Sequence, residues 1–250
     1  MELIIGLLIG AAIGATGVGG GTLTAPALIL LMGYQPRIAV ATALIFSAVV
    51  KIWASGVYLA RRQVDFGILW RLLAGGLPGT VLGAFALQGL RTSQANQWIL
   101  LAVGATVAVS ALVNLMNIRK RDRESGTRLN WIPMFSLPIG LESGFSSAGT
   151  GALGTLVLFN FTALAPGMVV GTDLVFGMLV SAIGGGIHAA SGSCNWDALA
   201  RLIPAGVVGS LIGSRACRGL PAATLRKAVL ICTAAVGISL LWKGLEAILS

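Results

Sequence analysis

Charge is scarce in this chain: only 10% of its residues are Asp, Glu, Lys or Arg, 8 acids against 17 bases. A water-soluble domain of 250 residues needs far more polar surface, so this scarcity excludes an ordinary soluble fold. Histidine is nearly absent, with His188 alone, and Cys194, Cys217 and Cys232 show neither CxxC nor zinc-ligand spacing. The cysteines read as small apolar residues, and only Cys194, in a connector, is placed for thiol chemistry. No HExxH, Walker loop or GxSxG is present, so the chain reads as a non-enzyme with no cofactor and no metal. The N-terminus lacks a basic n-region: Met1-Glu2 leads straight into an apolar run, so a cleaved signal peptide is not expected.

What is abundant is apolar and small. Hydrophobic residues make up 56% of the chain, glycine contributes 35 residues, and the mean hydropathy is +0.91. Runs at 39–60, 67–90, 97–117, 167–190, 198–217 and 228–248 each hold about the 20 residues a helix needs to cross ~30 Å of hydrocarbon. The net charge of +9 sits in the connectors between these runs, where it sets orientation in a lipid bilayer; it does not indicate nucleic-acid binding. Trp53, Trp70, Trp98, Trp131, Trp196 and Trp242 fall mostly near segment ends and read as interfacial anchors.

The chain repeats itself at an offset of 130 positions. Gly10, Gly14, Gly19 and Gly21 pair with Gly140, Gly144, Gly149 and Gly151; Pro36 pairs with Pro166, Thr42 with Thr172, Phe46 with Phe176, and Arg71 with Arg201. Two copies are therefore expected, 1–117 and 131–250, joined by the charged linker 118–130. Each copy reads as a glycine-broken segment (1–33; 131–163) followed by three spans, the broken segment being two half-helices that meet near the midplane. The expected fold class is an all-α polytopic membrane protein with two homologous repeats.

Charge bias favours inversion of the repeats. Arg61 and Arg62 follow the second segment of copy one, while the matching connector 191–195 has no base; Arg91 stands alone in the next connector, against Arg218, Arg226 and Lys227 in copy two. Homologous loops with opposite bias belong on opposite sides of the membrane, which places the linker in the cytoplasm. An odd number of crossings per copy satisfies this if the broken segment re-enters; a segment that crosses fully restores a parallel arrangement.

Irregular backbone at membrane depth must be buried in protein or line a wet cavity. The stretch GATGVGGGTLTAP therefore suggests a site: its glycines allow positive φ, and the helix after Gly21 offers free N–H groups and a positive dipole end. GFSSAGTGALG repeats the arrangement in copy two. Two such ends facing each other make an anion site from Gly19, Gly20, Gly21, Gly149 and Gly151, with the hydroxyls of Thr22, Thr24, Ser146, Ser147 and Thr150 in reach. The competing reading is close helix packing, which suits Gly6, Gly10, Gly14, Gly75, Gly79, Gly83, Gly209 and Gly213 better than it suits GVGGG.

The early GxGGG followed by proline (Gly17-Val18-Gly19-Gly20-Gly21 and Pro26), the small-Thr-small stretch Ala41-Thr42-Ala43, their echo in the second half and the length resemble the TauE/SafE sulfite exporters, also called the 4-toluene sulfonate uptake permeases. The resemblance covers nearly the whole chain. It implies a multi-pass carrier of the bacterial inner membrane for a small sulfur-containing anion such as sulfite, a sulfonate or sulfoacetate. It also brings Thr42 and its counterpart Thr172 into the expected substrate site. The second copy departs from the pattern: Thr150 replaces the middle glycine, Leu156 stands opposite Pro26, and Asp173 follows Thr172.

Ionisable residues within the spans complete the expectations. Lys51 either holds the anion or pairs with Asp173. Glu142 and Asp173 are candidates for proton coupling, against capping or pairing, and His188 is either a proton relay or a hydrogen-bonded interfacial residue. Arg71 and Arg201 either guard the two mouths of the pathway or snorkel to headgroups. Together these give a proton-coupled secondary transporter with alternating access around a central site; a passive anion channel and a non-transporting accessory subunit are the alternatives.

Overall fold

The computed structural model describes residues 2–18, 20–89, 93–117, 129–216 and 222–249. Gly19, Arg91, Cys217, Arg218 and linker residues 118–128 lie outside the described residues. Among those described there is no strand, only a short 3₁₀ turn at Leu129–Trp131 and ten α-helices: α1 (Glu2–Thr16), α2 (Gly20–Met32), α3 (Pro36–Ala60), α4 (Phe66–Gly89), α5 (Ser93–Asn117), α6 (Ile132–Ser146), α7 (Gly149–Phe161), α8 (Pro166–Ala190), α9 (Trp196–Ala216) and α10 (Ala222–Leu249). Five contain stretches long and apolar enough to cross a membrane: Pro36–Ala60, Phe66–Gly89, Pro166–Ala190, Trp196–Arg215 and Lys227–Glu246. The sixth expected span forms α5, whose apolar stretch Gln97–Val113 ranks with the shorter apolar helices α1 and α2.

The distribution of side chains is that of a protein whose solvent is lipid. Large apolar groups face outward, with Met134 66% and Trp242 70% exposed, while Lys51 and Asp173 are each 0% exposed. An apolar surface so extensive would aggregate in water; in a bilayer it is the solvated face. All six tryptophans are exposed, and Trp131 and Trp196 stand at the starts of α6 and α9.

Helix directions follow from which residues meet. In α3 and α8, Leu44 and Ile45 lie against Gly185, the Ser181 hydroxyl donates to Ser47 Oγ at 3.4 Å, Lys51 reaches Gly177, and Tyr58 reaches Gly171. One numbering rises as the other falls, so α3 and α8 are antiparallel. The same holds for α5 and α10, where Leu101, Gly104 and Ala108 meet Gly244, Leu241 and Gly237. By contrast α4 runs parallel to α6, with Gly75, Gly79 and Gly83 on Pro133, Leu137 and Leu141. Helix α1 runs parallel to α9, with Gly10 and Gly14 on Gly206 and Ser210.

The α4–α6 seam thus corresponds to the α1–α9 seam with the copies exchanged. The α4–α6 and α1–α9 seams are glycine rails in which any Cβ would strike a carbonyl of the opposite helix, the close approach that lets two helices attract in lipid without a hydrophobic driving force. The turns are clasped in the same reciprocal way. Asp65 Oδ1 caps α4 by accepting from Ile68 N at 2.9 Å, and its own N–H donates to Thr172 Oγ1 at 3.0 Å. Asn195 caps α9 through Ala198 N at 3.0 Å, and its N–H donates to Thr42 Oγ1 at 3.1 Å.

Because a leucine at 79 must displace backbone, whereas nothing lies within 4 Å of a Cβ at exposed Gly186, Gly79→Leu and Gly186→Leu should part company. Thermal unfolding of the detergent-purified protein is expected to show a loss of about 1–3 kcal/mol for the first, seen as several degrees, and no change for the second.

Candidate anion site at the crossed hairpin tips

Helix α2 begins at Gly20 beside Ser47 and Lys51, near the middle of α3, and ends at Met32, four residues before α3 starts. It is therefore antiparallel to α3, and with α1 it forms a hairpin whose turn holds Gly17 and Val18. Helices α6 and α7 form the matching hairpin against α8. Each turn needs one left-handed residue: Gly17 has φ +75° and Ser147, its counterpart, φ +66°. Each is steadied by the hydroxyl before it, Thr16 Oγ1 accepting from Val18 N at 3.1 Å and Ser146 Oγ from Ala148 N at 3.1 Å. An Ala at 146 would leave that N–H unmet, which is why a hydroxyl residue sits at both positions.

The two tips cross. Gly21 rests on the Ser147 carbonyl, a Cβ at Gly151 would stand 2.8 Å from the Gly17 carbonyl, and Ser147 Oγ donates to Gly21 O at 3.3 Å. Glycine is required at 21 by this approach and at 151 by φ +96° as well. Thr150 is extended (φ −76°, ψ 143°), so α7 becomes regular only after Gly151. The N-termini of α2 and α7 thus meet in the interior with the unpaired N–H groups every helix start carries.

Lys51 enters this crossing from α3 and donates from Nζ to Thr150 Oγ1 at 3.2 Å. Its neighbours leave no slack: a Cβ on Gly177 would strike Nζ, and one on Gly20 would strike the Ser47 hydroxyl and lie 3.3 Å from Lys51 Cε. From α8, Asp173 interacts electrostatically with Lys51, and its carboxylate lies between Gly154 of α7 and Gly17 at the first tip. The Thr22 and Thr24 hydroxyls on the first turns of α2 are buried with no hydrogen-bond partner among the described residues. One buried cation, one buried carboxylate, two helix starts and several hydroxyls therefore come together in the interior. An anion there meets donors whose attraction is far less screened than in water.

Of the expected site residues, Gly20, Gly21, Lys51, Ser147, Thr150, Gly151 and Asp173 are brought together, with Thr22 on the same helix start. Gly149 is one residue away but faces α6, where a Cβ would strike the Ile139 carbonyl. Thr42 and Thr172 do not face the crossing; their hydroxyls clasp the turns before α9 and α4. Glu142 lies on the far side of α6, its carboxylate oxygens buried in the wall of a cavity of about 470 Å³ lined also by Thr106, Ser110, Phe135 and Leu156, and Oε2 is 3.1 Å from where a Gly149 Cβ would be. Arg71 is exposed, and Arg201, 67% exposed, pairs with Glu2 Oε2 at 3.1 Å across the start of the α1–α9 seam, an ion pair worth about 0–1 kcal/mol. In the 191–195 turn, burial pushes the Cys194 thiol up to about 11, which keeps it protonated and unreactive.

His188 Nε2 lies 3.0 Å from the Gly144 carbonyl, two residues from the end of α6. Its counterpart is Tyr58, whose hydroxyl donates to the Gly14 carbonyl at 3.3 Å, two residues from the end of α1. Each hairpin is thus tied to a long helix of its own copy by one side chain. Tyr58, Ser47, Ser181, Gly154 and Gly177 were not singled out from the sequence. The 130-residue offset pairs Tyr58 with His188 and Ser47 with Gly177, and that pairing was the available signal. Among the described residues no group of three or more His, Cys, Asp or Glu could hold a metal ion.

Removing Lys51 alone leaves the Asp173 carboxylate buried without its cation. Lys51→Met should destabilise the purified protein by about 3–5 kcal/mol, and the double variant Lys51→Met/Asp173→Asn should recover part of that loss; additive effects would mean the two charges do not interact.

With the geometry in place, comparison with known proteins gives a consistent result. A family model described as Sulfite exporter TauE/SafE matches residues 2–240. The chain is similar to Probable membrane transporter protein YjnA of Bacillus subtilis (strain 168), 29% identical over 226 residues covering 85% of this chain and 87% of that protein. It is also similar to Probable membrane transporter protein YunE of the same organism, 21% identical over 267 residues covering 97% of each. No solved structure matches the chain.

Proposed function

The chain belongs to the sulfite exporter TauE/SafE family, a family of membrane transporters, and on that premise we propose a secondary transporter that moves a small sulfur-containing anion by alternating access around the crossed hairpin tips. The observation that carries the reading is Lys51: a wholly buried cation reaching into the point where two helix starts face each other. A carrier of a neutral solute has no use for that arrangement. Hydrogensulfite and simple sulfonates present pyramidal or tetrahedral sulfur–oxygen faces that accept several N–H and O–H donors at once. Backbone amides of α2 and α7 with the Thr22, Thr24 and Thr150 hydroxyls supply such donors.

The inverted arrangement is supported by the antiparallel packing of α3 on α8 and of α5 on α10, since homologous spans that run in opposite directions belong to oppositely oriented repeats. In this reading the α1–α2 and α6–α7 hairpins re-enter from opposite faces and their tips meet near the midplane. With Arg61, Arg62 and the 118–130 linker on the cytoplasmic side of a bacterial inner membrane, the basic loops follow the usual positive-inside bias. Transport then consists of rocking the hairpin-bearing bodies α1–α9 and α4–α6 against the α3–α8 pair, opening the anion site to one side at a time. Glu142, whose carboxylate lies against Gly149 at the start of α7, and His188, bonded to the Gly144 carbonyl, are the first candidates to carry a coupled proton, with Asp173, beside the cation, as the third. Arg71 and Arg201 act at the lipid headgroups and not as gates.

The test is flux into vesicles reconstituted with the purified chain. The wild type is expected to accumulate sulfite or a small sulfonate against its gradient when a pH difference is imposed, whereas an ohmic current would make it a channel. Thr150→Val, which removes the Lys51 partner while keeping the volume, should reduce that flux by about tenfold or more with the protein still inserted, the loss expected for a hydrogen bond to a charged group. Gly20→Leu should abolish it. Full flux in both variants would place the pathway elsewhere.

A further inference from the structure

The frame around the site is duplicated, but its charges are not. Ser47 and Ser181 meet each other as Gly177 and Lys51 do, and each hairpin turn has one left-handed residue, Gly17 or Ser147, steadied by the hydroxyl before it. Yet the position equivalent to Lys51 is Ser181, and the position equivalent to Asp173 is Ala43. Each buried charge therefore occurs once, and the two were placed facing each other across a symmetric scaffold that needs neither. The Asp173 carboxylate is held tightly: a Cβ on Gly154 would strike its oxygen, and Oδ2 is 3.6 Å from where a Gly17 Cβ would be. It lies against the same tip that offers its backbone to the anion.

Resting on the anion-site reading above, we infer that Asp173 sets the charge of the substrate, making the site selective for singly charged anions over doubly charged ones. One ammonium and two helix starts, each equivalent to about half a positive charge, face one fixed carboxylate. What remains uncompensated is about one positive charge, the complement of a sulfonate or a hydrogensulfite ion. A dianion of the same shape brings a second negative charge into a space with Asp173 already in it, and in a low-dielectric interior that repulsion is large. Asp173 is thus a specificity-determining residue that works by repulsion, while Lys51 and the helix starts supply attraction to either class.

Methanesulfonate and sulfate separate the two because they share a sulfur–oxygen face and differ by one charge. Thermal unfolding of the purified full chain, titrated with each as its sodium salt at matched ionic strength, gives an apparent affinity for both. The wild type is expected to bind methanesulfonate at least about tenfold more tightly than sulfate. In Asp173→Asn, and in Asp173→Ser should the first variant fold poorly, the ratio should fall by about tenfold or more, chiefly because sulfate binding improves. A loss of stability common to both ligands would not move the ratio, so a merely structural role for Asp173 predicts no change in it. Equal binding of the two anions by the wild type, or a ratio unaltered in the variants, overturns the inference. Binding of neither anion by the wild type removes the anion-site reading itself, and this inference with it.

Discussion

A peptide group deprived of both water and a partner costs several kcal/mol, and this protein interrupts two helices among buried residues. The interruption survives because each break is satisfied by the other: the Ser147 hydroxyl donates to the Gly21 carbonyl, Gly151 sits on the Gly17 carbonyl, and the Thr16 and Ser146 hydroxyls accept the first free amide beyond each turn. The glycine rails, antiparallel spans and clasped turns are what hold the two tips in register, so the architecture follows from the need to pair two exposed stretches of backbone.

Glycine serves two separate ends here, and distinguishing them clarifies what can move. Along the α1–α9 and α4–α6 seams it removes side chains so that helices touch over their length, producing two stiff bodies. At 17 and 151 it supplies backbone angles that other residues rarely adopt. Around Lys51, at 20 and 177, it leaves room for the head and stem of a buried lysine. A single substitution type therefore has three different consequences depending on which seam it falls in.

Much of the fold could be read from the sequence because its two strongest signals, apolar run length and the 130-residue offset, depend on simple quantities: hydrocarbon thickness and the spacing of matching residues. The helix breaks were visible for the same reason, since GVGGG is incompatible with a regular helix. Side-chain roles were less legible. Thr42 and Thr172 repeat at matching positions next to small residues, which is also what a binding residue would show, but their hydroxyls close turns at the helix ends, and only knowing that Asn195 and Asp65 fold over them reveals it. Arg201 was paired with Arg71 by the repeat, while its partner Glu2 has no acidic counterpart at position 132, so the ion pair exists in one copy alone. Tyr58 escaped notice because tyrosine and histidine look unlike one another, although each reaches the carbonyl two residues before its half-helix ends.

The reciprocal seams also bear on whether either half could stand alone. Helix α1 is embedded against α9 and α6 against α4, so an isolated copy would present a groove and an arm that both lack their complement. Each half therefore depends on the other to cover its glycine-lined seam, and a protein cut into separate halves would leave two bare grooves turned toward lipid.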